Sequence, residues 1–534
     1  VNDKLPIAFA RHKLRAMSQM LKSSGAMAAA TLTSRVLGMV REMVYMQFMG
    51  VGWVNDAFQF AFMIPNLFRR LLGEGALTAA FIPVFKEKEK IHGEKEMWRA
   101  ANAVISGLVI AASVVIAIVL IGISIALAAH QFEAKTELML RLLRVMFPYM
   151  LLVCLAAAMM GMLNARGHFF IPAMGATVLN IVMIASVLWL APRMGTELPE
   201  QIFALAIGVL AAGVAQMMFQ LPILWRDGFS YRWVSPWRDE TVRRVVTQMI
   251  PGTIGVAAFQ INVLLVQCLA FWVGNGIVSS FTGAVRLMEL PQGMFGISLA
   301  TYLLPTLSGL AAEKNYSEFR ATLRHGLSTL IFLNLIASVL LVVLAEPIVR
   351  LLFERGAFTS HSTDRVSFAL MCLAPGLVAF SSVNILARAF YALGDIKTPM
   401  KISLFCLAMN FILAAALVVP LKQGGLGIAN TITSAFNVWL LLFTLRKKLA
   451  KLEMEPLQKI LFPLFLMTVF AGLMAWESWQ LWENGLGHET LALKIGAVFV
   501  PAGIAGLVYL LSALWLEIPA AKEMLDFAFA RFKK

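Results

Sequence analysis

Charge is what this chain has least of. Only 14% of its 534 residues are Asp, Glu, Lys or Arg, and 60% are hydrophobic. A soluble protein of this length carries about a quarter charged residues. That shortage, with a mean hydropathy of +0.78, excludes a soluble globular protein, and no long polar stretch leaves room for a separate soluble domain. Histidine is also scarce: the seven present fall mostly at loops or helix ends, where they do not build a proton relay. Cys154, Cys268, Cys372 and Cys406 are scattered inside apolar segments, without metal spacing or a paired extracellular pattern. They read as inert small side chains. No Walker loop, HExxH motif or GxSxG with placed partners occurs. The sequence therefore predicts no enzyme, no metal and no cofactor.

What the chain has instead is apolar runs, recurring from end to end, each long enough to span a bilayer at ~20 residues. They predict an all-α membrane protein of about fourteen transmembrane helices. Lys and Arg outnumber Asp and Glu by 45 to 30, a net charge of +15. In a soluble protein that excess points to nucleic acid; here topology explains it, because cytoplasmic loops collect Lys and Arg. With the N-terminus inside, those loops hold Lys86, Lys88, Lys90, Lys95 and Arg99, then Arg226 to Arg244, and later Arg446, Lys447, Lys448, Lys451 and Lys459. The opposite loops 50–54, 273–276 and 478–489 hold none, and the segment around Arg350, Arg355 and Arg365 is the exception. The bias predicts two cytoplasmic termini and no nucleic-acid partner.

An internal repeat divides the spans. Pro148 and Pro172 recur as Pro375 and Pro399, and Gly167 recurs as Gly394, all displaced by 227 residues; Pro65 and Pro291 are displaced by 226. Six helices per copy preserve orientation. The predicted organisation is a basic cytoplasmic lead-in at 1–24 with no cleavable signal, an N-lobe of helices 1–6 at 25–225, and a C-lobe of helices 7–12 at 242–446. Two further helices at 457–514 lie outside the repeat, and a cytoplasmic tail covers 515–534. Two-lobed transporters of this kind hold substrate near the midplane, between the repeats.

The informative residues are the charges inside apolar spans. Each costs at least ~2.5–3.5 kcal/mol at a helix centre, so it persists only where it faces protein, water or substrate. The first span reads SRVLGMVRE: Arg35 and Glu42 share a helix face, and Arg41 lies roughly 120° around from Arg35. The second opens with NDAF, placing Asp56 near its outer end as a buried acid or an N-cap. Past Pro65 come Arg69, Arg70 and Glu74, the last two an i, i+4 pair. The eighth reads GAVRLMELPQG, with Arg286 and Glu289 on one face just before Pro291, and Arg388 lies in the tenth. Six arginines thus stand against four carboxylates, with no lysine in these spans. Arginine keeps its charge and matches phosphate oxygens bidentately. The pattern predicts a fixed cationic site for an anion, carried by Arg35, Arg41, Arg69 and Arg286. Glu42, Asp56, Arg70, Glu74 and Glu289 are supporting charges, while Arg70–Glu74 also fits a structural ion pair and Arg388 a snorkelling side chain. Movement of an anion would draw on an ion gradient, the membrane potential or the substrate's own gradient.

SRVLGMVRE, NDAF, PNLFRRLLGEGALTAAFIPVF and RLMELPQG together resemble the MurJ (MviN) family of lipid II flippases, within the multidrug/oligosaccharidyl-lipid/polysaccharide exporter superfamily. The resemblance runs over nearly the whole chain. It implies a bacterial inner-membrane protein that moves undecaprenyl-diphosphate-linked disaccharide pentapeptide outward by alternating access for peptidoglycan synthesis. Its partners would be that lipid, membrane lipids and other cell-wall synthesis or division proteins. The resemblance further implies that Arg35, Arg41, Arg69 and Arg286 bind the diphosphate, and that the last two helices frame a groove for the polyprenyl tail. The chain departs from the family at Val285, where relatives often have an acid. It has no acid in the seventh or eleventh span, only Gln260, Asn262 and Asn410, so no sodium site is expected. A polysaccharide-lipid flippase of the same superfamily and a non-transporting cell-wall scaffold are the alternatives.

Overall fold

Helix is the only regular structure an apolar segment can adopt alone in lipid, because it satisfies every backbone group internally. The computed structural model describes residues 30–532 apart from 31, 72–76 and 450, and no strand occurs among them. The lead-in 1–24 and Glu74 lie outside the described residues.

Contacts divide the chain into two units. The first runs to Leu264, and the second comprises Gly50–Gly52 and everything from Leu265. The first carries α1 (32–49), α2 (Trp53–Phe68), α3 (Leu77–His92), α4 (Glu94–Ala129) and α5 (Ala134–Met146). After these come α6 (Tyr149–Ala165), α7 (Phe170–Ala185), α8 (Leu198–Gln201), α9 (Phe203–Arg226) and most of α10 (Glu240–Val273). The second carries α11 (Ile277–Pro291), α12 (Ser298–Ala312), α13 (Tyr316–Val343), α14 (Ala345–Phe353) and α15 (Ser360–Leu373). Its remaining helices are α16 (Leu377–Ala392), α17 (Lys397–Lys448), α18 (Glu455–Gly485), α19 (Leu491–Trp515) and α20 (Pro519–Phe532). Among the described residues nine helical stretches are long and apolar enough to cross a membrane, or ten if α5 and α6, bent by 42°, count as one. The protein is a multi-pass membrane protein.

The first unit packs α3, α4, α6 and α9 around Phe81, Phe85, Trp98 and Phe229, whose rings follow one another at centroid spacings of 5.2, 5.5 and 5.5 Å. Offset and edge-on pairs at such spacings add attraction beyond buried area. Gly208 lets α9 close on the π-helical turn (Ser186–Leu190) that follows α7: a Cβ there would sit 2.3 Å from the Ser186 hydroxyl. At the charged ends of these helices the basic residues are partly neutralised. Arg166 reaches Glu89 at 2.6 Å and Glu94 at 3.0 Å, and Arg244 makes two 2.8 Å bonds to Glu87. The Arg244 guanidinium holds the Glu87 carboxyl below its ordinary range; Lys86 first, and then Arg166, do the same for Glu89.

In the second unit, α12, α13, α16 and α17 share a core of Leu303, Leu327, Leu386, Phe390 and Leu441. The last two long helices pack on α13, where Tyr509 stacks on Phe332 at 5.0 Å and donates to its carbonyl at 2.9 Å. α17 is a helical hairpin rather than a single rod. Its backbone breaks at Lys422 (φ 49°, ψ −127°). Across the break Asn410 bonds Asn430 and Phe405 meets Phe436, as two antiparallel halves require. Gly425 sits at the reversal, where a Cβ would lie 2.2 Å from the Leu417 carbonyl oxygen.

The exception in the charge bias also has a structural account. Arg350 lies on α14, a short helix unmarked in the hydropathy pattern, and pairs with Glu346, with Glu354 at 3.7 Å and with Glu483 of α18 at 3.2 Å. Lys494 of α19 approaches Glu354 at 3.7 Å. Arg355 and Arg365 donate to the carbonyls of Leu351 and Asn275. These cations are absorbed in local contacts and say little about topology.

Candidate functional site

Each predicted charge sits on a helix that cannot satisfy it from its own backbone, so its partner is the question. On α1, Arg35 is exposed and makes no ion pair among the described residues. Arg41 is held more closely. Its Nη1 donates to Asn180 Oδ1 of α7 at 3.1 Å, its Nη2 to Glu42 at 3.4 Å, and its guanidinium lies 5.4 Å from the ring centre of Tyr45. Asn180 in turn donates to the Ser34 carbonyl at 3.1 Å, so one amide grips α1 at two points. Glu42 is 2% exposed.

On α2, Asp56 falls in the first turn of a helix that starts at Trp53, so it is not the N-cap. It is fully buried and pairs with Lys135 Nζ of α5 at 3.3 Å. The charged spans themselves hold no lysine; the partner comes from outside them, since Lys135, between the spans expected at 99–128 and 138–165, is 5% exposed. Taking two charges from water costs several kcal/mol each, which their attraction offsets only in good geometry. The pair therefore fixes α2 against α5.

Past Pro65 the α2 ladder opens into a π-helical turn over 69–71. Proline has no N–H to give to the preceding turn, and π-turns occur often at functional sites. Arg69 Nε donates to Asn66 at 2.8 Å, and Arg70 Nη1 reaches Gln260 of α10 at 3.5 Å. The proposed Arg70–Glu74 pair lies outside the described residues. An amide acceptor orients a guanidinium while taking no charge from it. Arg41 with Asn180 and Arg70 with Gln260 use that arrangement.

In the second unit the same device recurs. α11 ends at Pro291 and passes into a π-helical turn over Gln292–Ile297. Arg286 meets Glu289 at 2.8 Å, the two side chains being 36% and 48% exposed. Arg388 of α16 donates to the Thr301 hydroxyl of α12 at 2.9 Å. The structure thus joins Arg41, Glu42 and Asn180 in one group, Asp56 and Lys135 in a second, Arg70 and Gln260 in a third, and Arg286 and Glu289 in a fourth. Arg35 stands apart from them. Sequence reasoning passed over Asn180, although a lone amide inside the apolar run TVLNIVMIA had to find a partner or be costly.

Comparison with known proteins shows the family. Residues 45–495 match the family model described as Lipid II flippase MurJ. The chain is also 35% identical over 439 residues to the probable lipid II flippase MurJ of Haemophilus influenzae, covering 77% of this chain and 83% of that one. It belongs to the MurJ family. A second MurJ relative, the lipid II flippase of Burkholderia cenocepacia, is 33% identical over 427 residues, covering 78% of this chain and 82% of that one. A solved MurJ structure titled as an inward closed conformation matches with a TM-score of 0.73 at 23% identity, over 92% of this chain and 98% of that one. A structure titled as an inward-facing multidrug resistance MATE family transporter of the MOP superfamily matches with a TM-score of 0.65 at 15% identity, over 80% of this chain and 99% of that one. These two likenesses establish a MurJ-like fold, which the MATE transporter structure shares.

Proposed function

We propose that this protein is a lipid II flippase of the bacterial inner membrane. It moves the undecaprenyl-diphosphate-linked disaccharide pentapeptide from the inner to the outer leaflet for peptidoglycan synthesis. The observation that carries the reading is the MurJ family match over residues 45–495. The arginines add a chemical reason, since guanidinium groups suit a diphosphate. Arg35, Arg41, Arg69 and Arg286 are the residues assigned to it, with Glu42, Asp56, Arg70, Glu74 and Glu289 setting their charge and geometry.

In this reading the chain crosses the membrane fourteen times with both termini in the cytoplasm. Its N-lobe covers 25–225, its C-lobe 242–446, and helices at 457–514 hold the lipid tail. The headgroup site opens first to the cytoplasm and then to the outside, while the polyprenyl chain stays in lipid. No bond is made or broken and no cofactor is used. A potential negative inside is worth ~2.3 kcal/mol per charge per 100 mV, and it drives either outward anion movement or inward return of the empty cationic site. Lipid II is the partner, with other cell-wall synthesis proteins as neighbours.

The test is complementation of a flippase-depleted strain. Wild type should restore growth, and Arg41→Ala and Arg286→Ala should let lipid II accumulate and cells lyse. Lys replacements separate point charge from bidentate binding. Loss of surface polysaccharide alone would assign the chain to polysaccharide-lipid export, and full function of the Ala variants would favour a scaffold. Collapse of the potential in sealed vesicles should slow translocation; an unchanged rate would remove the coupling.

A further inference from the structure

The α17 hairpin carries a feature that the flippase reading does not use. Phe436, Trp439, Phe443 and Lys447 follow at spacings of three, four and four residues, which places them along one face of its second half. Phe436 stacks on Trp439 at 5.4 Å, Trp439 on Phe443 at 5.8 Å, and the Lys447 ammonium stands 4.5 Å over the Phe443 ring. Phe405, from the first half, extends the ladder by meeting Phe436 at 6.2 Å. Lys401 lies one turn from Phe405 on the same face. The rings are not core: Phe405, Trp439 and Phe443 are 58%, 56% and 48% exposed.

We propose that this strip is a binding site for an anionic glycerophospholipid of the surrounding leaflet. The phosphate sits at Lys401 and Lys447, and one acyl chain lies along the rings. Charge complementarity and length support that occupant. Neither lysine has a carboxylate within ion-pair distance among the described residues, whereas the adjacent Lys448 is taken by Asp395 at 2.7 Å. From Lys447 to Phe436 a helix rises ~16 Å at ~1.5 Å per residue, about half of a ~30 Å hydrocarbon core. The ladder therefore runs from a headgroup to the end of its own acyl chain. A lone lysine at a helix end would only snorkel. Here it is placed by an aromatic face and reinforced by a second lysine from the other half of the hairpin. The side of the membrane rests on the proposed topology, which puts Lys447 at the cytoplasmic surface; the lipid preference does not.

The probe is quenching of tryptophan fluorescence by brominated lipids in vesicles holding the full chain, with Trp439→Phe defining the Trp439 component. Brominated phosphatidylglycerol should quench that component at a several-fold lower mole fraction than brominated phosphatidylcholine. A cation near an anionic surface is worth about fivefold in binding, so Lys401→Gln with Lys447→Gln should bring the two lipids close to equal. Lys401→Arg with Lys447→Arg should keep the preference and shows that the hairpin folds. Equal quenching in the wild type overturns the proposal, as does a preference that survives the Gln pair. Displacement of the brominated lipid by lipid II at lower mole fraction than by phosphatidylglycerol would make the strip part of the transport path, also against it. Complementation by the Gln pair separates the two readings: retained growth with lost lipid preference leaves the flippase assignment standing.

Discussion

α2 and α11 break in the same way but hold their charges differently, one buried and one exposed. Each reaches a proline, Pro65 or Pro291, and each loosens into a π-helical turn just beyond it. At its opposite end from that break α2 carries a fully buried acid paired with a lysine from another helix, and past the proline come arginines that bond amides on α2 and α10. α11 carries an arginine and a glutamate that meet on one exposed face. The backbone device is thus common to both units, while the charge serves two ends. A buried pair fixes architecture, because separating it leaves a charge without water. A pair that is a third or more exposed contributes little to stability and leaves its guanidinium within reach of a ligand.

The comparison breaks most clearly at Arg286. Charge-assisted hydrogen bonds are worth ~1.5–3 kcal/mol each, so Arg286→Ala should lower lipid II translocation in proteoliposomes by roughly tenfold to a hundredfold. Its thermal midpoint in detergent should stay near the wild-type value. A large fall in midpoint would make Arg286 as structural as Asp56. Lys135→Met comes next and should act in reverse. Stranding Asp56 costs about 3–5 kcal/mol, read as a lower midpoint and less folded protein, and adding Asp56→Asn should recover most of it.

Legibility in the sequence followed the same division. Arg35, Arg41 and Arg286 stood out because an isolated cation in an apolar run is costly wherever it ends up. Lys135 did not, because its charge closes an apolar run and reads as a loop; its burial depends on Asp56, far away in the chain. Asn180 escaped, and the partner of Gln260 did, for a related reason, since an amide can be satisfied in many ways and sequence does not say which. The helical architecture was plain from the hydrophobic runs. The α14 helix and the acids around Arg350 were not, because a nine-residue amphipathic helix leaves no long-period signal.

Smaller effects sharpen the account. Pro65→Ala and Pro291→Ala each return an N–H to the ladder, worth ~1 kcal/mol. Both should keep or slightly raise stability, slow amide exchange around 69–71 and 292–297, and lower the translocation rate. If only one of the two slows transport, the breaks are not equivalent. The smallest effect belongs to an exposed pair outside the membrane. Lys448 first, and then the Thr398 backbone and hydroxyl, hold the Asp395 carboxyl down to about 2. A depressed acid stabilises above its unfolded value of ~3.9, and that contribution fades as pH falls through about 2. Asp395→Asn should therefore cost no more than ~1 kcal/mol near neutrality. Midpoints of variant and wild type should converge in strong acid.

The grip of Asn180 on α1 limits what can be tolerated at that position. Its oxygen receives Arg41 while its nitrogen gives to Ser34. Aspartate would keep the first contact and set a second oxygen against the Ser34 carbonyl, serine would reach neither, and leucine would leave Arg41 with Glu42 and the Tyr45 ring alone among these contacts. A single replacement at this position thus removes two contacts between α7 and α1. Residue 180 therefore tolerates few replacements, and the one hint of it in the sequence is a lone amide in an apolar run.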